Sequence, residues 1–164
     1  MTKEQYIKIT EPLRKDKEKT KRIIGINQIL TGVVFFVYPL YIAVLFLEKN
    51  PKLLKVILVP AISFVLVTIV RRIINAPRPY EKFEMPPVIE KDTKGKSFPS
   101  RHVFSIFIIA AAIFYSHTGP GIMIGLMGVA MAVIRVLGGV HEPRDVVAGA
   151  LIGILCGVIG FYLF

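Results

Sequence analysis

Three short polar islands interrupt an apolar chain, and each carries residues suited to handling phosphate. The first is Arg71 with Arg78-Pro79, the second is Pro99-Ser100-Arg101-His102, and the third is Arg135 followed by His141 and Asp145. A guanidinium presents a planar fork of donors that matches the oxygens of a phosphate ester. Several of them around one site hold the ground-state charge and the charge that develops during displacement. Two imidazoles permit two further roles, one attacking phosphorus and the other protonating the departing alkoxide. His141 and Asp145 stand four residues apart. If a helix begins near Glu142-Pro143, that spacing stacks them on one face, and the carboxylate can orient the ring and stabilise its charged form. Ser100, after Pro99, falls at a helix N-cap position, where its hydroxyl and the free backbone N–H groups beyond it add anion donors. His102 then lies in the first turn of that helix. This chemistry needs no metal, and residue types alone leave open which histidine attacks.

Each residue also has a plainer reading. Arg71, Arg72 and Arg101 serve equally well as interfacial anchors that snorkel to lipid head groups. His141 with Asp145 reads as a helix-cap pair, and His102 as a local cap or pairing residue. Convergence of all of them at one membrane depth is what lifts the set above these readings. His117 supplies the contrast: it lies beside Thr118-Gly119-Pro120 with no arginine nearby, and reads as a loop histidine. Glu142, Arg144, Arg72 and Lys82 fall near the islands without a required role, and Glu142 reads as solvated.

The elements that must position these residues are membrane helices. Over 164 residues the chain is 54% hydrophobic with mean hydropathy +0.62, more than one soluble core of this size needs. Its charge is segregated, with eight Lys or Arg in the first 22 residues and none in long later runs. A net charge of +10 suggests an anionic partner. The basic residues sit before and between apolar runs, which points to lipid head groups or a phosphate substrate and away from nucleic acid. Residues 1–22 hold no apolar run of the signal-peptide type and read as a basic tail or a helix lying at the membrane surface. Uncharged segments are expected to span the membrane from Ile23 to Leu47, Leu53 to Ile74, Ser100 to His117, Gly121 to Leu137 and Val146 to Phe164. The expected architecture is thus all-α, a multi-pass transmembrane helical bundle of about five spans. A doubled or re-entrant first segment would make six. Residues 23–164 form one membrane domain on this reading. Span parity puts all three islands on one side of the bilayer. Gly149, Gly153 and Gly157, and Gly121 with Gly125, recur at intervals that let helices approach closely. Cys156, in an apolar run, reads as a structural thiol.

With the islands in place, the chain resembles the type 2 phosphatidic acid phosphatase family, whose fold and phosphate pocket are shared with vanadium haloperoxidases. The family pattern is Lys, six residues and Arg-Pro; then Pro-Ser-Gly-His; then Ser-Arg, five residues, His, three residues and Asp. Here it stands as Arg71 with Arg78-Pro79, Pro99-Ser100-Arg101-His102, and Arg135 with His141 and Asp145, and the match covers the chain from Arg71 onward. The resemblance implies a PAP2-like core and a metal-independent lipid phosphatase with no cofactor. It assigns His141 as the residue that becomes phosphorylated, Asp145 as its support and His102 as the proton donor. Arg71, Arg78, Ser100 and Arg135 would hold phosphate. Three departures stand out. Arg71 replaces lysine, Arg101 replaces glycine at the pocket mouth, where it can contact a second phosphate or a head group, and Ile134 replaces serine before Arg135. Activity is expected to be tuned by these changes and not lost.

The partners implied are the bilayer and a lipid phosphate such as undecaprenyl diphosphate, phosphatidylglycerol phosphate or phosphatidic acid. The resemblance implies a plasma-membrane protein with an extracytoplasmic pocket. Five spans would, however, put the basic N-terminus on the pocket side, where the positive-inside rule asks for cytoplasm. A non-enzymatic anion carrier or channel is the alternative, for which a His–Asp pair at fixed interval is surplus. A vanadium-dependent peroxidase is a weaker rival.

Overall fold

The fold was taken from a computed structural model that describes all residues from 1 to 164. It is all-helical: α1 (Lys3–Lys15), α2 (Lys17–Leu47), α3 (Leu53–Ile74), the short α4 (Pro79–Phe83), α5 (Arg101–Ser116), α6 (Thr118–Leu137) and α7 (Pro143–Val158), closed by a π-helical turn at Ile159–Leu163. Four helices are long and apolar enough to cross a bilayer, and α5 is a shorter apolar helix. Five apolar helices match the expected spans. The first is one continuous helix from Lys17 to Leu47, so the doubled segment that would have given a sixth span is not formed. The polar stretch Lys17–Arg22 is the first part of that same helix.

Burial explains why α5 tolerates being short. Its 16 residues reach about 24 Å at 1.5 Å each, less than the hydrocarbon layer of about 30 Å. The other helices surround it. Val103, Phe104, Ile106, Ile108, Ala110, Ala112 and Ile113 are all buried. The outer helices instead turn Phe35, Phe36, Leu40, Ile62, Leu66, Leu126 and Leu151 outward as an apolar belt suited to lipid.

The close approach of α7 to α5 comes from glycine. A Cβ on Gly149 would stand 2.6 Å from the Ser100 carbonyl oxygen, and one on Gly153 2.9 Å from that of Phe104. On Gly157 it would meet Ala111 Cβ at 2.4 Å. This row therefore acts as the sequence suggests. The second pair does not. Gly121 meets Phe114, but Gly125 faces open space, and the residue that packs closely on that helix is Gly128, against Phe107 and Ile106. One turn of helix separates Gly121 from Gly125, and the helix crossing carries the contact past it on α6.

Candidate active site

All three polar islands meet at one end of the bundle. Arg71 is in the last turn of α3, Arg78 precedes α4, Ser100 and His102 open α5, Arg135 is in the last turn of α6, and Asp145 is in the first turn of α7. His141 lies in the α6–α7 loop, just before the helix that holds Asp145. Local folding explains its position. α6 ends at Gly138, Gly139 takes the left-handed conformation at φ +70°, and the chain turns back so that the Val140 and His141 amides donate to the Arg135 carbonyl, each at 3.3 Å. The turn thus ties the imidazole to the end of the helix that carries Arg135. From outside, the Tyr6 hydroxyl of α1 donates to the Gly139 carbonyl at 3.2 Å, and the Val88 and Ile89 amides donate to that of Gly138.

His141 is 1% exposed and Asp145 also 1%. The pair meets at 3.5 Å between Nδ1 and Oδ2, and a third residue joins it: the Ser97 hydroxyl donates to Asp145 Oδ2 at 2.6 Å and lies 3.3 Å from His141 Nδ1. The Glu142 amide donates to the same carboxylate oxygen at 3.1 Å. With Nδ1 occupied on this side, Nε2 is the nitrogen left to act as nucleophile. Burial, the largest influence, lowers the His141 pKa from 6.5 to about 4, against the raising effect of Asp145. The ring is therefore neutral at neutral pH, as a nucleophile must be.

The arginines divide into two groups. Arg71 donates to the Ser97 carbonyl at 3.2 Å and to those of Lys96 and Pro99, and Arg78 donates to the Gly95 and Val140 carbonyls at 3.2 and 3.3 Å. Both fasten the loop that leads into α5 while lining the cavity. Arg135 is freer. One nitrogen donates to Asn27 Oδ1 at 3.0 Å, but its buried Nε and Nη2 find no partner within the protein, and neither does the Ser100 hydroxyl. Unpaired buried donors cost about 1–3 kcal/mol each, more when charged, so a site that keeps them is built to receive an acceptor. Ser100 caps α5 by position, yet its side chain makes no cap hydrogen bond.

A polar cavity of about 220 Å³ runs among these groups, lined by Arg71, Arg78, Lys91, Arg101, His102 and His141 with no hydrophobic residue in its wall. Beside it an apolar groove of about 600 Å³ passes between α2, α3 and α5, where Val34, Phe35, Tyr38, Phe64, Ile106 and Ile109 form the sides. Arg101 and His102 line both spaces. The Arg101 guanidinium lies over the Phe64 ring, 5.6 Å from its centroid, and so marks the boundary.

These placements bring together every residue singled out in the three islands. They also correct one expectation. Glu142 is not solvated: it is 4% exposed and pairs with Lys82 at 3.2 Å and Arg144 at 3.0 Å, because it caps the N-terminus of α7 beneath α1. Ile134, which stands where the family pattern has serine, is 7% exposed and packs into the apolar core. His117 is exposed at the far end and lies 3.0 Å from the Tyr41 hydroxyl. Three residues were missed. Ser97 and Lys91 gave no signal beyond membership of a polar loop. Glu81, which accepts from the Gly95 and Arg78 amides at 2.8 Å, could have been noticed three residues after Arg78, the spacing of a capping box.

The comparison with known families fits this geometry. The PAP2 superfamily model matches residues 52–164, which takes in all three islands. The chain belongs to the PAP2 superfamily. It is 31% identical over 144 residues, 81% of its own length and 71% of the relative's, to the bacitracin transport permease protein BcrC of Bacillus licheniformis. Among solved structures, that of Aquifex aeolicus LpxE superposes with a TM-score of 0.74 at 28% identity, over 96% of this chain and 92% of that one. The transmembrane PAP2-type phosphatidylglycerolphosphate phosphatase from Bacillus subtilis shares the fold at a TM-score of 0.63 and 20% identity, over 94% and 90%. The PAP2 chain described here is thus a multi-pass membrane protein and a phosphatase of lipid phosphates. The anion-carrier alternative gains no support: buried Phe104, Ile108 and Ala112 fill the bundle below the polar end.

Proposed function

We propose that this PAP2 protein hydrolyses a phosphomonoester or diphosphate of a lipid through a phosphohistidine on His141. The observation that carries the proposal is the junction at His102: an apolar groove of about 600 Å³ opens there into a cavity lined only by polar and cationic groups. A lipid entering sideways would lay its tail between α2 and α3 and present its phosphate to Arg71, Arg78, Ser100, Arg101 and Arg135. Neutral His141 attacks phosphorus through Nε2, with Asp145 and Ser97 holding the ring from Nδ1. His102 donates a proton to the departing oxygen. Water then splits the phosphorus–nitrogen bond, with His102 as the base, and inorganic phosphate leaves. The guanidinium groups stabilise the charge on the transferring group throughout.

Undecaprenyl diphosphate, phosphatidylglycerol phosphate and phosphatidic acid all have the tail and the charge that this site accepts. A panel of these lipids with purified protein, reading inorganic phosphate with and without chelator, tests the proposal. Phosphate release from at least one of them is expected, together with no phosphate flux across protein-loaded vesicles. Flux without hydrolysis would overturn it.

We also propose that residues 23–164 make up the phosphatase unit, that residues 1–22 serve as a surface helix at its pocket end, and that this end faces outside the cytoplasm of the plasma membrane. The side follows from the resemblance to bacterial relatives and runs against the charge of α1, which docks at the pocket end through Tyr6. Labelling of single cysteines at Lys15 and Lys94 with an impermeant maleimide in intact cells should modify both. Protection of both would place the pocket in the cytoplasm.

A further inference from the structure

The pocket end of α2 turns an amide inward between two apolar residues. Ile23, Asn27 and Leu30 follow one another at intervals of four and three, the spacing of one helix stripe. Ile23 and Leu30 are buried in the central core, and Asn27 between them is half-buried. An amide on the inward stripe of a membrane helix is costly unless it meets a partner. Its partner is on α6: Asn27 Oδ1 accepts from Arg135 Nη1 at 3.0 Å. With Arg135 and His102, Asn27 lines a side cavity of about 470 Å³ next to the polar one. It also lies outside the stretch 52–164 that the PAP2 superfamily model matches.

That one bond decides which edge of the guanidinium stays free. The Nε–H and the outward N–H of Nη2 point the same way and form the side-on fork that grips two oxygens of one phosphate. Those are the two Arg135 atoms that are buried without a partner, in a residue only 2% exposed. Nη1, on the other flank, is the nitrogen that Asn27 occupies. The backbone fixes only the base of this side chain, where the His141 amide donates to the Arg135 carbonyl. Several rotatable bonds separate that base from the guanidinium, and ordering them costs entropy. A hold on the far nitrogen before substrate arrives takes that cost out of the reaction. The choice of residue fits the task, since a neutral amide accepts the bond without cancelling the positive charge, as a carboxylate would.

We infer that Asn27 is a positioning residue, which holds Arg135 by Nη1 so that its Nε–Nη2 edge is presented to the phosphoryl group as His141 attacks it. This inference rests on the phosphatase reading above. On this account α2 completes the anion site as well as facing lipid, although it contributes no group that touches the reacting atoms. Asn27 acts only through Arg135, so its effect must vanish when the guanidinium is absent. An asparagine that merely packed α2 against α6 would act on stability whatever stood at position 135.

The test is a double-mutant cycle in full-length protein in detergent: wild type, Asn27→Leu, Arg135→Ala and the double variant, each with a lipid phosphate and with inorganic phosphate. Leucine keeps the branched shape of asparagine and suits the apolar stripe. Asn27→Leu should lower kcat about 10-fold, the scale of one hydrogen bond to a charged group, while KM, to which the tail contributes, moves by less than about twofold. In the Arg135→Ala background the same change should alter kcat by less than about twofold. Calorimetric binding of inorganic phosphate supplies an arm without turnover: Asn27→Leu should weaken it at least about threefold when Arg135 is present and leave it unchanged when Arg135 is gone. Asn27→Ala, which removes the acceptor without adding bulk, should repeat the pattern. Equal losses with and without the Arg135 guanidinium, or no loss in either arm, would overturn the positioning role. Wild-type protein that binds phosphate in the expected pattern yet releases none from any lipid would instead overturn the phosphatase reading and leave the hold of Asn27 on Arg135 standing.

Discussion

The two ends of the helical bundle each hold a histidine with a polar partner, and they differ in almost everything else. At the far end, His117 is exposed and lies 3.0 Å from the Tyr41 hydroxyl, while Lys52 reaches the Tyr115 carbonyl at 2.9 Å. At the pocket end, His141 is buried, held at Nδ1 by Ser97 and Asp145 and fixed by its backbone to the helix that carries Arg135. The imidazole is the same group in both places. Its surroundings differ: one ring is exposed to solvent, whereas the other is desolvated, oriented and faced by guanidinium groups. A histidine becomes a nucleophile through that setting, and the comparison can be broken at several points.

The largest effect should come from His141→Ala. Loss of the attacking group is expected to reduce phosphate release by at least about 10⁴-fold, with the protein still eluting as a folded species in detergent. Next is Arg135→Ala, which removes the donors left unpaired beside Ser100. Loss of one such group from a charge-stabilising site typically costs about 10²- to 10³-fold in kcat, and steady-state kinetics should show it in kcat more than in KM.

A pH profile sharpens the comparison further. At pH 5 an unperturbed imidazole of pKa about 6.5 is only about 3% neutral. His141, held near 4 by burial, stays mostly neutral, because a lowered pKa delays protonation as pH falls. The acid limb of kcat/KM, which reports the free enzyme, should therefore lie below pH 5. An acid limb near 6.5 would show that the His141 ring is solvated.

Smaller effects fall on packing. Gly149→Ala presses on the Ser100 carbonyl and should lower stability by about 1–3 kcal/mol, read as a drop in Tm, whereas Gly125→Ala faces open space and should leave Tm unchanged. His117→Ala should alter turnover by less than about twofold, since exposed substitutions away from such features cost little.

Much of this was legible in the chain. Span boundaries followed from hydropathy, because a bilayer demands long uncharged segments whatever the tertiary packing. The convergence of Arg71, His102 and Arg135 followed from parity, since alternate spans must return island after island to one side. The rest depended on loops. Ser97 reaches Asp145 only because the stretch from Gly95 to Pro99 folds over the end of α3, fastened by Arg71, Arg78 and Glu81. No periodicity encodes that path. Lys91 was hidden for the same reason, as one lysine among several in a polar loop. Glu142 was misread because a carboxylate at a helix start looks solvated until the α1 that covers it is known. Gly125 shows the limit of spacing arguments: an interval of four names a helix face, but only the crossing of α5 and α6 decides which glycine lies at the contact.

The most direct measurement is of the covalent intermediate. Purified protein mixed with a ³²P-labelled lipid phosphate and quenched in base within one turnover should carry an alkali-stable, acid-labile phosphate on His141, mapped by mass spectrometry, and the His141→Ala protein should carry none. Label on His102, or rapid turnover with no labelled histidine in either protein, would contradict the account.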